Sequence, residues 1–435
     1  MRPFTRLVTT PRRPALRQRG VTLVELMVTL LVGMILTAAV FGVLAVYEGR
    51  KRTTTSVNDV SQSGSYAMHA IDRWVRSAGS GFAQAGVPTA PAASGIVNTT
   101  MAFGCRLLAS RGTPVLPRGG LPLPAPFAGV NSGAPGSFRL APVLILPGQT
   151  APAVSGQASD VLVVMGGAGG FGDVPLLPRV AIDPAATSFS TPGQIHLANS
   201  VSLGAGDLLL IADQPAAGGA AADCMVQEVA AGFAGGVASA VNLGGPYAVT
   251  PIAGTALATF SEQAVAMKLG NVGAANPPGF LLIGVGDNNT LFSYDLLQTA
   301  GADAAGAPSP NLRAIADGVF ELHALYGVDS DGDGRVDQWI DPGAVPPPPG
   351  YTLAELMDGS AAAATAIGRI KALRVGLILR TALPERGPVA PAQLTLFSDL
   401  GAALTYTRVL AAGEQNFRYR TVESTIPLRN ALLIN

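Results

Sequence analysis

Gly20-Val21-Thr22-Leu23-Val24-Glu25-Leu26-Met27 opens an apolar run that continues to Tyr47 with one charge inside it, and this stretch decides the architecture. The run from 21 to 47 exceeds the roughly 20 residues that a helix needs to cross the hydrocarbon core of a bilayer. The apolar segment of a signal peptide is shorter. On the amino side lie Arg2, Arg6, Arg12, Arg13, Arg17 and Arg19, with no acid among them. That bias keeps a leader on the cytoplasmic side of a membrane. The one charge within the run, Glu25, costs a few kcal/mol near a membrane helix unless something pairs with it.

The segment Gly20-Val21-Thr22-Leu23-Val24-Glu25-Leu26 resembles the type III signal of type IV prepilins and pseudopilins, whose peptidase cuts after the glycine. The resemblance implies that residues 1–20 are a cytoplasmic leader and that Val21 becomes an N-methylated mature terminus, where the family more often has Phe or Met. It also implies that Glu25 neutralises the terminal amine of a neighbouring subunit in the apolar core of a filament, a pairing that offsets burial. An ordinary single-pass anchor is the alternative, and it predicts an uncut leader.

Outward from this segment, residues 21–47 are the transmembrane half of a long helix and residues 48–79 its amphipathic half. The polar cluster Glu48-Gly49-Arg50-Lys51-Arg52 comes first, followed by apolar positions Val57, Val60, Ala67, Ile71, Trp74 and Ala78. Their spacing predicts an amphipathic helix. The pilin resemblance implies that its apolar stripe packs on a sheet, and a juxtamembrane stalk helix is the alternative. Gly79-Ser80-Gly81 ends it. Residues 80–155, rich in Pro, Ala and Gly, read as a poorly regular insertion. Residues 156–435 read as a β-rich body, with strands at Asp160–Met165, Asp207–Ile211, Ala264–Leu269, Phe280–Val285 and Leu291–Leu296.

Several stretches resemble PilW-type minor type IV pilins. They are Asn58-Asp59-Val60-Ser61-Gln62, Ala70 to Gly79, Ile315 to Leu322, Tyr326 to Asp329, Asp337-Gln338-Trp339, Ile370 to Thr381, and Ile426 to Asn430. The fold class implied is α+β and pilin-like, a long amino-terminal helix packed on a mostly antiparallel β-rich body with long loop insertions. Residues 84 to 300 match nothing in that family beyond a general strand pattern.

Composition narrows the function. Hydrophobic residues make up 48% of the chain and charged ones 13%, with 53 Gly and 34 Pro, so strand and turn should outweigh helix. The 28 basic and 28 acidic residues cancel, but without the six leader arginines 22 face 28. A mildly acidic body lacks the basic surface that a phosphate backbone requires, and no direct nucleic-acid binding is expected. Gly167-Ala168-Gly169-Gly170-Phe171-Gly172 has dinucleotide-loop spacing, but Pro175 and Pro178 stand where the helix should start. No catalytic motif is found, and His69, His196 and His323 are far apart.

Asp329-Ser330-Asp331-Gly332-Asp333-Gly334-Arg335-Val336-Asp337 is the sharpest chemical feature. Acids at alternate positions around a glycine turn can wrap oxygens about a hard cation, of which calcium is the natural choice. Asp329, Asp331 and Asp333 would offer carboxylates, Arg335 its carbonyl, and Asp337 a direct or water-mediated contact. Ile340 stands where an EF-hand has its bidentate glutamate. A solvated Asp-Gly turn is the alternative. Cys105 and Cys224 are the only cysteines, and an oxidising compartment allows them one disulfide. Two separate buried thiols are the other reading.

The expectation is a minor type IV pilin rather than an enzyme, which initiates or primes pilus assembly as a filament or tip-complex subunit. It would be a single-pass inner-membrane protein with its body in the periplasm, incorporated into the pilus after assembly. The resemblance implies as partners other minor pilins, the major pilin, the assembly platform and the prepilin peptidase. A minor pseudopilin of a type II secretion system is the nearest alternative. A membrane-anchored periplasmic enzyme or adhesin is the alternative from another class.

Overall fold

The computed structural model describes residues 20–82, 87–88, 99–100, 102–112, 115–116, 123–130, 138–150, 158–167, 193–197, 200–213, 222–236, 240–260, 264–274, 277–297 and 311–431. Residues 1–19 of the leader (residues 1–20) and residues 168–172 of the glycine-rich stretch 167–172 lie outside them. The chain divides into two units, residues 1–56 and 57–435.

Helix α1, Leu23–Ser77, begins in the first unit and ends in the second. In the first unit its segment Leu23–Leu44 is long and apolar enough to cross a membrane, and none of that segment is buried within the chain. In the second unit Val60, Ala67, Met68, Ile71, Val75 and Ala78 form the buried face, at the three- and four-residue steps of a helix. Val57, expected on this face, is exposed, and Trp74 is partly buried. Gly64 lies on the same face, where a Cβ would fall 2.1 Å from Leu379 Cδ1. Gly79, at φ 78°, supplies the left-handed residue that stops the helix.

The strands follow in chain order. First come β1 (Val87–Pro88), β2 (Thr99–Thr100), β3 (Arg106–Leu108), β4 (Val143–Thr150) and β5 (Ser159–Gly166). Next are β6 (Gln194–His196), β7 (Asp207–Ala212), β8 (Asp223–Glu228), β9 (Ala240–Asn242) and β10 (Val265–Asn271). Then follow β11 (Gly279–Gly286), β12 (Thr290–Asp295), β13 (Leu312–Asp317), β14 (Val319–Val328) and β15 (Gln338–Ile340). Helices α2 (Leu353–Leu356) and α3 (Ala361–Arg369) precede β16 (Ile370–Arg380), β17 (Gln393–Leu396), β18 (Tyr406–Val409) and β19 (Tyr419–Pro427).

The principal sheets have the orders β13-β12-β11-β5-β4, β15-β14-β16-β19 and β10-β7-β8-β3. All pairings among the described strands are antiparallel except β3 with β8. The fold is therefore α+β and pilin-like, and all five expected strands are present. All three sheets and the carboxy-terminal half of α1 contribute to the largest core, the third through Leu208, Leu210, Val226, Val265, Met267 and Leu269.

Strands β5 and β11 are direct neighbours, with Val163 opposite Leu282. Between them the chain leaves to build β6 through β10, which enclose a second core around Leu209, Ile211, Met225, Val241 and Phe260. A third cluster, around Phe320, Ile378, Leu396 and Phe397, lies between β14, β16 and the β17–β18 hairpin.

Residues 80–155, expected as irregular, contain β3 and β4, and Phe103, Leu108, Phe127, Leu140 and Ile145 there are fully buried. Pro147-Gly148 interrupts the apolar run of β4 and hides it from pattern reading. Its pairing with β5 shifts register between Leu146 and Thr150, which accommodates the proline at a bulge on an edge strand.

Candidate functional site: the processing end, the acidic loop and the spine seat

Gly20 and Val21 precede α1; among the described residues no atom lies near enough to Gly20 to meet an added Cβ, and Val21 is exposed. The Glu25 N–H donates to Thr22 Oγ1 at 3.2 Å, and the Leu26 N–H to the Thr22 carbonyl. Thr22 thus satisfies a helix-start donor, and Glu25 stands in the first turn, where the helix dipole favours an acid. The Thr-x-x-Glu spacing of a capping box would have revealed this cap in the sequence. The Glu25 carboxylate makes no hydrogen bond or ion pair among the described residues.

The acidic loop joins β14 to β15. Asp329, Asp331 and Asp333 each bring a carboxylate oxygen within 4.8 Å of the others'. Asp329 is buried and accepts the N–H groups of Gly332 at 2.6 Å and Gly334 at 2.9 Å. Asp331 accepts from the Asp333 N–H, and Asp333 from the Arg335 N–H. Gly332 and Gly334 have φ of 85° and 84°, which side chains rarely adopt, so glycine lets the loop wrap.

Asp337 stands apart from the trio. Its Oδ2 accepts the backbone N–H and the hydroxyl of Ser330, and these bonds hold its carboxyl below its ordinary value. The Arg335 side chain is 85% exposed. Ile340 is buried in β15 and brings no oxygen. The donor set therefore fits a cation through three carboxylates and leaves the twelfth position unfilled.

Cys105 and Cys224 form a disulfide with Cα atoms 5.7 Å apart, fastening β3 to β8. Beside it Arg106 holds Asp223 through two bonds of 2.8 and 2.6 Å, and Thr255 Oγ1 donates to the same carboxylate at 2.7 Å. Burial pulls the Asp223 carboxyl upward, but these bonds and the charges of Arg106 and Arg139 outweigh it and hold it below its ordinary value.

Two further constellations escape sequence reading. Asn430 Nδ2 donates to the carbonyls of Ala78 at 3.0 Å and Ser77 at 3.4 Å, so the carboxy-terminal tail caps the end of α1. Gly79 N–H donates to Met165 O and Gly167 N–H to Ser80 O, which sew the same helix end to β5. Under the β17–β18 hairpin, fully buried Glu321 accepts from Arg408 Nε at 2.6 Å and Tyr406 OH at 2.9 Å. Burial and that carboxylate push the Tyr406 hydroxyl up. No local spacing marks either constellation, since each joins residues far apart in the chain.

The prokaryotic N-terminal methylation motif matches residues 16–41, the stretch that holds Gly20, Val21, Glu25 and the start of α1. With its apolar helix and β-rich body, the chain is thereby a prepilin-like protein anchored through its amino terminus. The family described as Type IV Pilus-assembly protein W matches residues 283–430, from within β11 to just beyond β19. The chain is a PilW-type prepilin-like protein, related to type IV pili. These family segments point to a structural protein rather than an enzyme. Strands β6 to β10 lie outside both matched segments. No curated protein matches the chain, and no solved structure does.

Proposed function

We propose that this protein is a minor pilin that initiates or primes type IV pilus assembly as a subunit of the filament or its tip complex. The observation that carries this reading is the methylation motif set at the start of an unburied apolar helix, with Glu25 at its first turn making no ion pair among the described residues. Cleavage after Gly20 frees the amine of Val21, and the Glu25 carboxylate of one subunit receives the amine of the next inside the filament. Its partners are other minor pilins, the major pilin, the assembly platform and the prepilin peptidase. Before assembly the span lies in the inner membrane and the body in the periplasm.

Mass spectrometry of the amino terminus, in cells with and without the prepilin peptidase, tests the first step. N-methylated Val21 that depends on the peptidase supports the reading, and an intact leader in both strains refutes it. A deletion strain that loses pili but keeps type II secretion separates a pilin from a pseudopilin.

The acidic loop is proposed to hold calcium through Asp329, Asp331 and Asp333 with the Arg335 carbonyl, as a structural ion that relieves the mutual repulsion of the carboxylates. Calorimetric titration of the full chain with calcium should show binding that D331N/D333N abolishes. Equal heats from both proteins would reject the assignment.

A further inference from the structure

We propose that a cleft between the end of α1 and the five-stranded sheet binds an acidic saccharide, a sugar that carries a carboxylate, through Arg73 and Arg313. The cleft has a volume of about 530 Å³, the size of a small-molecule site, and lies wholly within the second unit.

Its floor is one face of the sheet. Val164 stands opposite Leu281, Leu281 opposite Asp295, and Ser293 opposite Arg313, so strand alternation brings these five side chains to the same face. One step further along, Gly166 is paired with Gly279. A Cβ at Gly166 would fall 2.8 Å from the Ser77 carbonyl oxygen, so the helix end presses on the sheet there. Gly279 adds no side chain to the floor beside it. The opposite wall is α1, which offers Arg73, Trp74 and Ser77, the first and last of them one turn apart.

The polar groups of the cleft specify the ligand. Arg73 and Arg313 are both exposed, and neither guanidinium makes a hydrogen bond or ion pair among the described residues. Asp295 is the one acid in the lining, and its Oδ1 already accepts the N–H groups of Leu297 at 3.0 Å and Phe280 at 3.4 Å. The cleft therefore has a surplus of positive charge and asks for an anion, which arginine can grip through paired N–H groups. The Ser77 hydroxyl gives its proton to the Trp74 carbonyl and keeps its lone pairs, and Ser293 Oγ makes no hydrogen bond among the described residues. Both suit a ligand rich in hydroxyl groups. Val164, Val272, Leu281 and the partly buried Trp74 supply apolar surface for the carbon face of a sugar ring. A bare inorganic anion would satisfy the arginines and leave that surface in water.

The test uses the full chain in lipid nanodiscs, titrated calorimetrically with the glucuronate–N-acetylglucosamine disaccharide and with chitobiose, a neutral disaccharide. The acidic sugar should bind at least about tenfold more tightly, as charge-assisted hydrogen bonds to it require. R73Q/R313Q should remove that preference, and R386Q, at an exposed arginine outside the cleft, should leave it intact. Inorganic phosphate should compete only at much higher concentration. Equal affinity for the two disaccharides, no binding of the acidic one, or a preference that survives R73Q/R313Q overturns the proposal. Phosphate that binds as tightly as the acidic disaccharide overturns it too, since the sugar ring would then contribute nothing.

Discussion

Replacing Gly64 by alanine sets a methyl carbon 2.1 Å from Leu379 Cδ1 and 3.3 Å from its Cγ. Carbon atoms pack at about 3.5–4.0 Å, so the two groups must separate by about 1.5 Å. Leu379 has no room to retreat, since it is fully buried on β16 between β14 and β19. Overpacking of this kind costs about 1–3 kcal/mol, while alanine in place of glycine returns about 1 kcal/mol of helix propensity. The expected net loss for Gly64→Ala is about 0–2 kcal/mol. Leu379→Ala alone should cost about 2–5 kcal/mol through the cavity it leaves. In the double variant the new methyl enters that cavity, so the loss should fall about 1–3 kcal/mol short of the sum of the two single losses. Urea unfolding of the full chain in detergent, followed by tryptophan fluorescence, reads the cycle. Trp74, on α1, is one of two tryptophans and reports the helix seat. Losses that add within about 0.5 kcal/mol would refute the close seating of the spine.

Arg408→Met should cost about 3–5 kcal/mol in the same urea assay, because it strands the charge of Glu321 in the interior. E321L/R408M should be less destabilised than R408M, and a larger loss would contradict the burial argument. Removing the disulfide with C105S/C224S opens a loop with a sequence separation of 119 residues. A loss of up to about 5 kcal/mol is expected from chain entropy, seen as a lower melting temperature that reductant no longer changes. Asp223, whose carboxyl is held below its ordinary value, contributes stability that is present above about pH 4 and is lost as pH falls through its lower folded-state value. Asp223→Asn should therefore flatten that part of the acid melt, and an unchanged profile would show that the Arg106 pair carries no linkage.

The long helix, its signal and the strand pattern were legible because they follow from local rules. An apolar run longer than a bilayer, a glycine before Val21 and an acid at Glu25 are readable without knowing what they touch, and so are the alternating acids from Asp329 to Asp333. Five strands were found from short apolar runs bounded by turn residues. Strand β4 escaped, since Pro147-Gly148 reads as a breaker until the chain is seen to bulge beside β5.

What tertiary structure alone decided concerns partners distant in sequence. Gly64 reads as a weak point in a helix until Leu379 is found against it, and Glu321 and Arg408 read as surface charges until a hairpin covers them. The pairing of Cys105 with Cys224, and the capping of α1 by Asn430 from more than 350 positions away, need the β8–β3 and β16–β19 pairings already in place. The division is physical. Helix periodicity and turn chemistry depend on neighbours within a few residues, whereas seats, covers and caps depend on which surfaces the completed core brings together.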